Sequence, residues 1–201
     1  MTGDGRLADQ LGFLLEVDAL KSVLRRNYLA DGSRLENTAE HSWTLALMAV
    51  VLAEHAAEPV DVGKVVQMVV VHDLVEVDAG DTYIYDDAAR AGLAEREARA
   101  ADRIFGLLPG DQGQAVRALW EEFEEGDSPD ARFARSLDRM AGFLLNYASG
   151  GRTWRQHGVT ADKVAALGRR IEPGSPALHA EQARLLAAAV AAGIIDEGPA
   201  E

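Results

Sequence analysis

From Val65 to Glu76 the chain reads as an apolar run that closes on three ionisable side chains, His72, Asp73 and Glu76. Gln67 is the only polar residue between Val65 and Val71, which predicts a core helix. Moving an uncompensated imidazole–carboxylate pair out of water costs several kcal/mol. A divalent cation is the most economical compensation. Neighbours on a helix sit about 100° apart, so His72 and Asp73 both lean toward one ion. Glu76 follows His72 by one turn on the same side. His41 lies on the apolar stripe of another helix, with Leu45, Met48 and Leu52 at i+4, i+7 and i+11. Asp138 borders a third stripe, made by Phe133, Leu137, Met140 and Leu144. Singly, each has an ordinary explanation as a satisfied core histidine or a capping aspartate. Together, two imidazoles and two carboxylates form a mixed N/O donor set that suits one ion of manganese, cobalt, magnesium, iron or zinc. Four such ligands leave coordination positions for water and substrate.

The elements that must position these groups are helical throughout. A first helix is predicted from about Leu7 to Arg26, and a second from about Thr38 to Ala57. Pro59 and Asp61 open a third, which carries His72 and Asp73 and ends near Gly80. A loop from Asp81 to Tyr85 follows, and Asp86 is expected to cap a charged helix reaching Leu108. Further helices are expected around Ala115–Glu124, Asp130–Tyr147, Thr160–Ile171 and Pro176–Ala192, the last two as packing helices. No alternating strand pattern stands out beyond the short Thr82–Tyr85 loop. The reading is one all-α domain over residues 1–201, a bundle of about seven or eight helices.

Composition narrows the chemistry. The 201 residues carry a formal net charge of −13, from 33 acidic against 20 basic side chains. That sign repels polyanions and argues against tracking along DNA or RNA. A small phosphate ester remains admissible, because one metal ion and one or two arginines reverse the potential locally. There are no cysteines, which removes disulfides, thiolate zinc sites and iron–sulfur clusters. The acidic start MTGDGRLADQ lacks the features of a signal peptide, and no apolar stretch reaches membrane-spanning length. A cytoplasmic location is the expectation.

The order His41, His72-Asp73, Asp138 on successive helices resembles the signature of the HD-domain metal-dependent phosphohydrolases. The segments Arg34–Trp43, His72–Glu76, Gly80-Asp81-Thr82 and Ser136–Arg139 look like the 5′-deoxynucleotidase branch of that family. Leu119–Glu124 and Gly151–Trp154 fit the same branch, so the similarity covers roughly residues 10–160. The resemblance implies one divalent metal on His41, His72, Asp73 and Asp138. It implies catalytic carboxylates at Glu76 and Asp81, and a substrate-binding arginine that ungapped counting puts at Arg26. The residue after that arginine is tryptophan in bacterial members and Asn27 here, which bears on base and sugar preference. It further implies a homodimer that hydrolyses (deoxy)nucleoside 5′-monophosphates. Three other readings compete. The first is a phosphatase of another small ester, such as an intermediate of specialised metabolism. The second is a di-iron oxygenase, which the lack of histidines between Asp73 and Asp138 disfavours. The third is a catalytically degenerate HD binding module, which the presence of all six site residues disfavours.

Overall fold

Caps and prolines decide where the main helices begin. The computed structural model describes residues 3–86 and 91–198. Helix α1 (Gly3–Val17) passes through a 3₁₀ turn, Asp18–Ser22, into strand β1 (Leu24–Tyr28). Strand β2 (Leu35–Asn37) pairs with it antiparallel. Helix α2 (Thr38–Leu52) starts from a capping box, in which Asn37 accepts from the Glu40 amide and Glu40 reaches back to Asn37. Asp61 caps α3 (Val62–Val71), and a short α4 (Glu76–Ala79) follows after a tight turn. Then come α5 (Leu93–Phe105), α6 (Gly110–Glu125) and the long α7 (Pro129–Ala148), which opens with Ser128 as cap and Pro129 in its first turn. Helices α8 (Arg152–Gln156), α9 (Ala161–Gly168) and α10 (Pro176–Ala191) complete the order.

The chain is therefore all-α apart from one hairpin. Eight helices of eight residues or more, and two shorter ones, lie among the described residues. The hairpin corrects the expected first helix, which stops at Val17 rather than Arg26. The register shifts between the paired positions Leu24–Asn37 and Tyr28–Leu35, so β1 carries an irregularity that turns its side chains. Helix α3 also stops short of the expected end, at Val71. The amides of Leu74 and Glu76 bond three residues back, to Val71 and Asp73, so His72–Val75 is a turn rather than helix interior. The expected cap at Asp86 leads into residues 87–90, outside the described residues.

Helix α7 runs through the centre. Its buried residues Phe133, Leu137, Met140 and Ala141 join Leu45 and Ala49 of α2 and Val65, Met68 and Val69 of α3 in the larger core. A second core gathers Phe13, Leu74, Ile104, Phe105 and Trp120. Helix α2 is apolar on more than one side. Trp43 (67% exposed), Leu47, Val50 and Val51 form a solvent-facing apolar stripe opposite its core face, although Trp43 reads as a core residue in the sequence.

Candidate metal centre

His41 sits in the first turn of α2 and is fully buried. His72 and Asp73 occupy the turn that ends α3, and Asp138 lies midway along α7. Packing α2 and α3 against α7 brings the four together. Ligand atoms of His41, His72 and Asp73 all fall within 4.8 Å of one another. His41 Nε2 is 3.0 Å from Asp138 Oδ1 and 4.0 Å from Asp73 Oδ2, and His72 Nε2 is 3.0 Å from Asp73 Oδ1.

The chemistry of this set fits a metal. His72 Nδ1 lies 2.9 Å from the Val69 carbonyl, an acceptor only, so Nδ1–H is the donor and Nε2 carries the lone pair. That Nε2 is buried and, although 3.0 Å from Asp73 Oδ1, makes no well-aligned hydrogen bond among the described residues. An unpaired imidazole nitrogen pointing at carboxylate oxygens is what a cation would satisfy. Behind His41, the buried Glu36 places Oε2 3.6 Å from Nδ1, the position of a carboxylate that orients a ligating histidine. His41, His72, Asp73 and Asp138 would hold the ion.

Two more carboxylates and a guanidinium face the same space. Glu76 opens α4, is 8% exposed, and accepts a hydrogen bond of 2.8 Å from the Thr38 hydroxyl. Burial, and then the charge of Asp73, push its carboxyl up to about 9. Asp81 is also raised, chiefly by burial, with Arg25 opposing. Burial works against ionisation of Asp138, but the His41 hydrogen bond and the charges of His41, His72 and Arg25 hold it well below the usual carboxylate range. Arg25 Nη1 lies 3.0 Å from Asp73 Oδ2 and 3.7 Å from Asp81 Oδ1, and Nη2 lies 3.9 Å from Asp138 Oδ1.

The structure thus brings together His41, His72, Asp73, Asp138, Glu76 and Asp81. It separates the two arginines. Arg25 joins the carboxylates, whereas Arg26 is exposed and reaches only the cavity rim. Alternation along a strand explains this: Arg25 and Asn27 turn inward, Leu24 and Arg26 outward. The signal for Arg25 was a double arginine that a strand period would have split and a helix reading did not. Glu36 and Thr38 were missed as well, both inside the Arg34–Trp43 segment that was read only for its family resemblance. His55, His157 and His179 stay outside the site, being exposed or, for His179, paired with Glu172.

Asp73, Asp138, Glu76, Asp81 and Arg25 line one end of a cavity of about 240 Å³, room for a small molecule. The same cavity is also lined by Asn146, Phe143 and Trp154 and by Gln182 from α10.

Comparison with known proteins agrees with this architecture. The HD domain family model matches residues 17–179. The human 5′-deoxynucleotidase HDDC2 is 32% identical over 130 residues, covering 64% of this chain and 62% of the human protein. A crystal structure described as a predicted metal-dependent phosphohydrolase from Magnetospirillum magnetotacticum superposes with a TM-score of 0.93 at 48% identity, over 98% of both chains. The PH0347 protein of Pyrococcus horikoshii shares the fold, with a TM-score of 0.63 at 23% identity, over 87% of this chain and 99% of that one.

Proposed function

Because the chain belongs to the HD domain family, we propose that it is a metal-dependent phosphomonoesterase that hydrolyses (deoxy)nucleoside 5′-monophosphates to nucleoside and phosphate. The observation that carries the reading is the orphaned His72 Nε2 among His41, Asp73 and Asp138, beside a small cavity that also receives Glu76, Asp81 and Arg25. The metal-dependent description of the 48% identical relative supports the ion, and the name of the human relative supports the substrate class. The chain spans about 62% of that human protein's length.

A divalent ion bound here lowers the pKa of a coordinated water and polarises phosphoryl oxygens. The protein's own groups do the rest. Arg25 presents a planar fork beside the ligand carboxylates, so its donors grip the non-bridging oxygens of a terminal phosphate. This is the role that counting along the sequence assigns to Arg26. Glu76 and Asp81 divide the proton work: one takes the proton of the attacking water, and the other delivers one to the departing alkoxide. Thr38 fixes the Glu76 carboxyl for that work through its hydroxyl. The enclosed cavity and the net charge of −13 favour a compact monoester over a polymer.

One cavity is walled both by residues of the N-terminal hairpin and by Gln182 of the last helix, which supports reading the chain as one HD domain. A homodimer belongs to the same proposal, supported by the exposed Trp43, Leu47, Val50 and Val51 stripe of α2. So does a cytoplasmic location, with which the cysteine-free composition is compatible. Among the described residues no helix is long and apolar enough to cross a membrane.

Phosphate release across nucleoside 5′- and 3′-monophosphates, with manganese or cobalt added, tests the function. The expected result is EDTA-sensitive hydrolysis of deoxynucleoside 5′-monophosphates, with little action on 3′-monophosphates or DNA. Turnover of an unrelated phosphate ester with no 5′-monophosphate hydrolysis would sink the nucleotidase reading.

A further inference from the structure

Asp138, Gly142 and Asn146 follow one another at single-turn intervals along α7, and all three line the cavity. Asp138 marks the metal end. The eight residues to Asn146 carry that wall ~12 Å along the helix axis, away from the phosphate chemistry. Asn146 at this far end, and Gln182 elsewhere on the cavity wall, are two amides in unusual settings. Asn146 is 5% exposed, and its Nδ2 donates to the Gly142 carbonyl at 2.9 Å. Its Oδ1 is buried with no hydrogen-bond partner. Gln182, from α10, is 2% exposed and lines the same cavity, and its side chain has no hydrogen-bond partner among the described residues.

Gln182 is held there by what lies behind it. A Cβ added at Gly168 would stand 2.4 Å from Gln182 Oε1 and 2.9 Å from Nε2. The amide therefore rests on the bare backbone of α9, and any side chain at 168 would displace it. Around these amides the walls are aromatic: Phe143 and Trp154 meet with ring centroids 5.7 Å apart and both face the cavity. Buried amide groups are ordinarily satisfied. Unsatisfied ones between aromatic walls are the recognition chemistry of a flat heterocycle with a hydrogen-bonding edge.

We propose that Gln182 and Asn146 read the nucleobase of the substrate, with the phosphate at the Asp138 end of the cavity and the base at the Asn146 end. This rests on the nucleotidase reading above and adds the residues that set base preference. Gln182 lies on the last helix, just beyond the residues 17–179 that match the family model.

The test compares the four deoxynucleoside 5′-monophosphates with 2-deoxyribose 5-phosphate, which lacks a base, in wild type, Gln182→Leu and Gly168→Ala. Leucine fills similar space without the amide, and alanine at 168 pushes the amide away without removing it. In either variant KM for the preferred nucleotide should rise about tenfold with kcat within about twofold, the size expected for one neutral hydrogen bond. The ranking of bases should flatten, and the baseless ester should be unaffected. Nucleotide hydrolysis with unchanged KM and ranking in both variants overturns the assignment, and so does an equal loss toward the baseless ester. If wild type hydrolyses no nucleotide at all, the function reading fails separately. Titration with free deoxynucleosides then decides the subsite: saturable binding weakened about tenfold by Gln182→Leu supports it, and no binding overturns it.

Discussion

Removing the charge of Glu76 should stabilise the metal-free protein, and by an amount that depends on pH. Glu76 is 8% exposed, and burial together with Asp73 raises its carboxyl from 4.5 to about 9. A carboxyl whose folded pKa lies above its unfolded one disfavours the folded state once the unfolded chain can ionise. Nothing is lost below pH 4.5. From there stability falls by up to about 1.4 kcal/mol per pH unit until the folded pKa is reached. At pH 7 the accumulated cost is on the order of 3 kcal/mol. Glu76→Gln carries no such cost, and its amide oxygen still accepts from Thr38. In EDTA-stripped protein the variant should therefore melt higher than wild type by roughly 6–12 °C at pH 7, taking about 2–4 °C per kcal/mol for a chain of this size. The gap should nearly close at pH 5 and widen toward pH 8. Thermal unfolding followed by circular dichroism at four pH values measures it. A gap that stays constant between pH 5 and 8, or a wild type that is the more stable at pH 8, would refute the argument that burial beside Asp73 governs Glu76.

Three further outcomes are expected. Asp73→Ala should lose most bound metal by elemental analysis, because it removes the carboxylate nearest the orphaned His72 nitrogen; undiminished metal at this site would exclude Asp73 as a ligand. Arg25→Lys should raise KM for nucleotides by roughly 10-fold or more while Arg26→Lys changes it little, since only Arg25 presents its fork to the carboxylates; the reverse order would return the phosphate to Arg26. Trp43→Asp should convert a dimer to a monomer in analytical ultracentrifugation without loss of helix content, and a dimer that survives it would place the interface elsewhere than on α2.

The candidate ligand set was legible because it broke a pattern. Histidine and aspartate on or beside apolar helix stripes demand a compensating partner, and four of them demand the same one. The start signals at Asp61 and Pro176 were equally local, and the helices begin where those residues sit. What escaped was set by pairing and packing at a distance. The strand Leu24–Tyr28 is held by Leu35–Asn37 and by a Thr153 hydroxyl that donates to the Arg26 carbonyl, 127 positions along the chain. No window around Arg25 contains that information, so ungapped counting against the family names Arg26, whereas Arg25 is the residue proposed to grip the phosphate. Trp43 reads as core because aromatics usually are, and only the finished packing shows that α2 has already spent its buried face on Leu45 and Ala49. Asn146 and Gln182 escaped for the opposite reason, since amides on helices look like ordinary solvent-facing residues until the helices are docked.

The order in which the cavity's walls occur along the chain has a consequence for synthesis. All four ligand residues precede position 139, whereas Gln182 arrives more than forty residues later on the last helix. A domain folds as a unit, and Leu178, Leu186 and Ala189 of α10 belong to the larger core, so the imidazoles and carboxylates take their places only once the last helix has docked. A chain stopped near residue 160 would carry all four candidate ligands but lack Val164, Ile171, Leu178, Leu186 and Ala189 of the core that holds them in place. The proposed ion site and the proposed base end of the cavity therefore form together, although their residues are synthesised far apart in time.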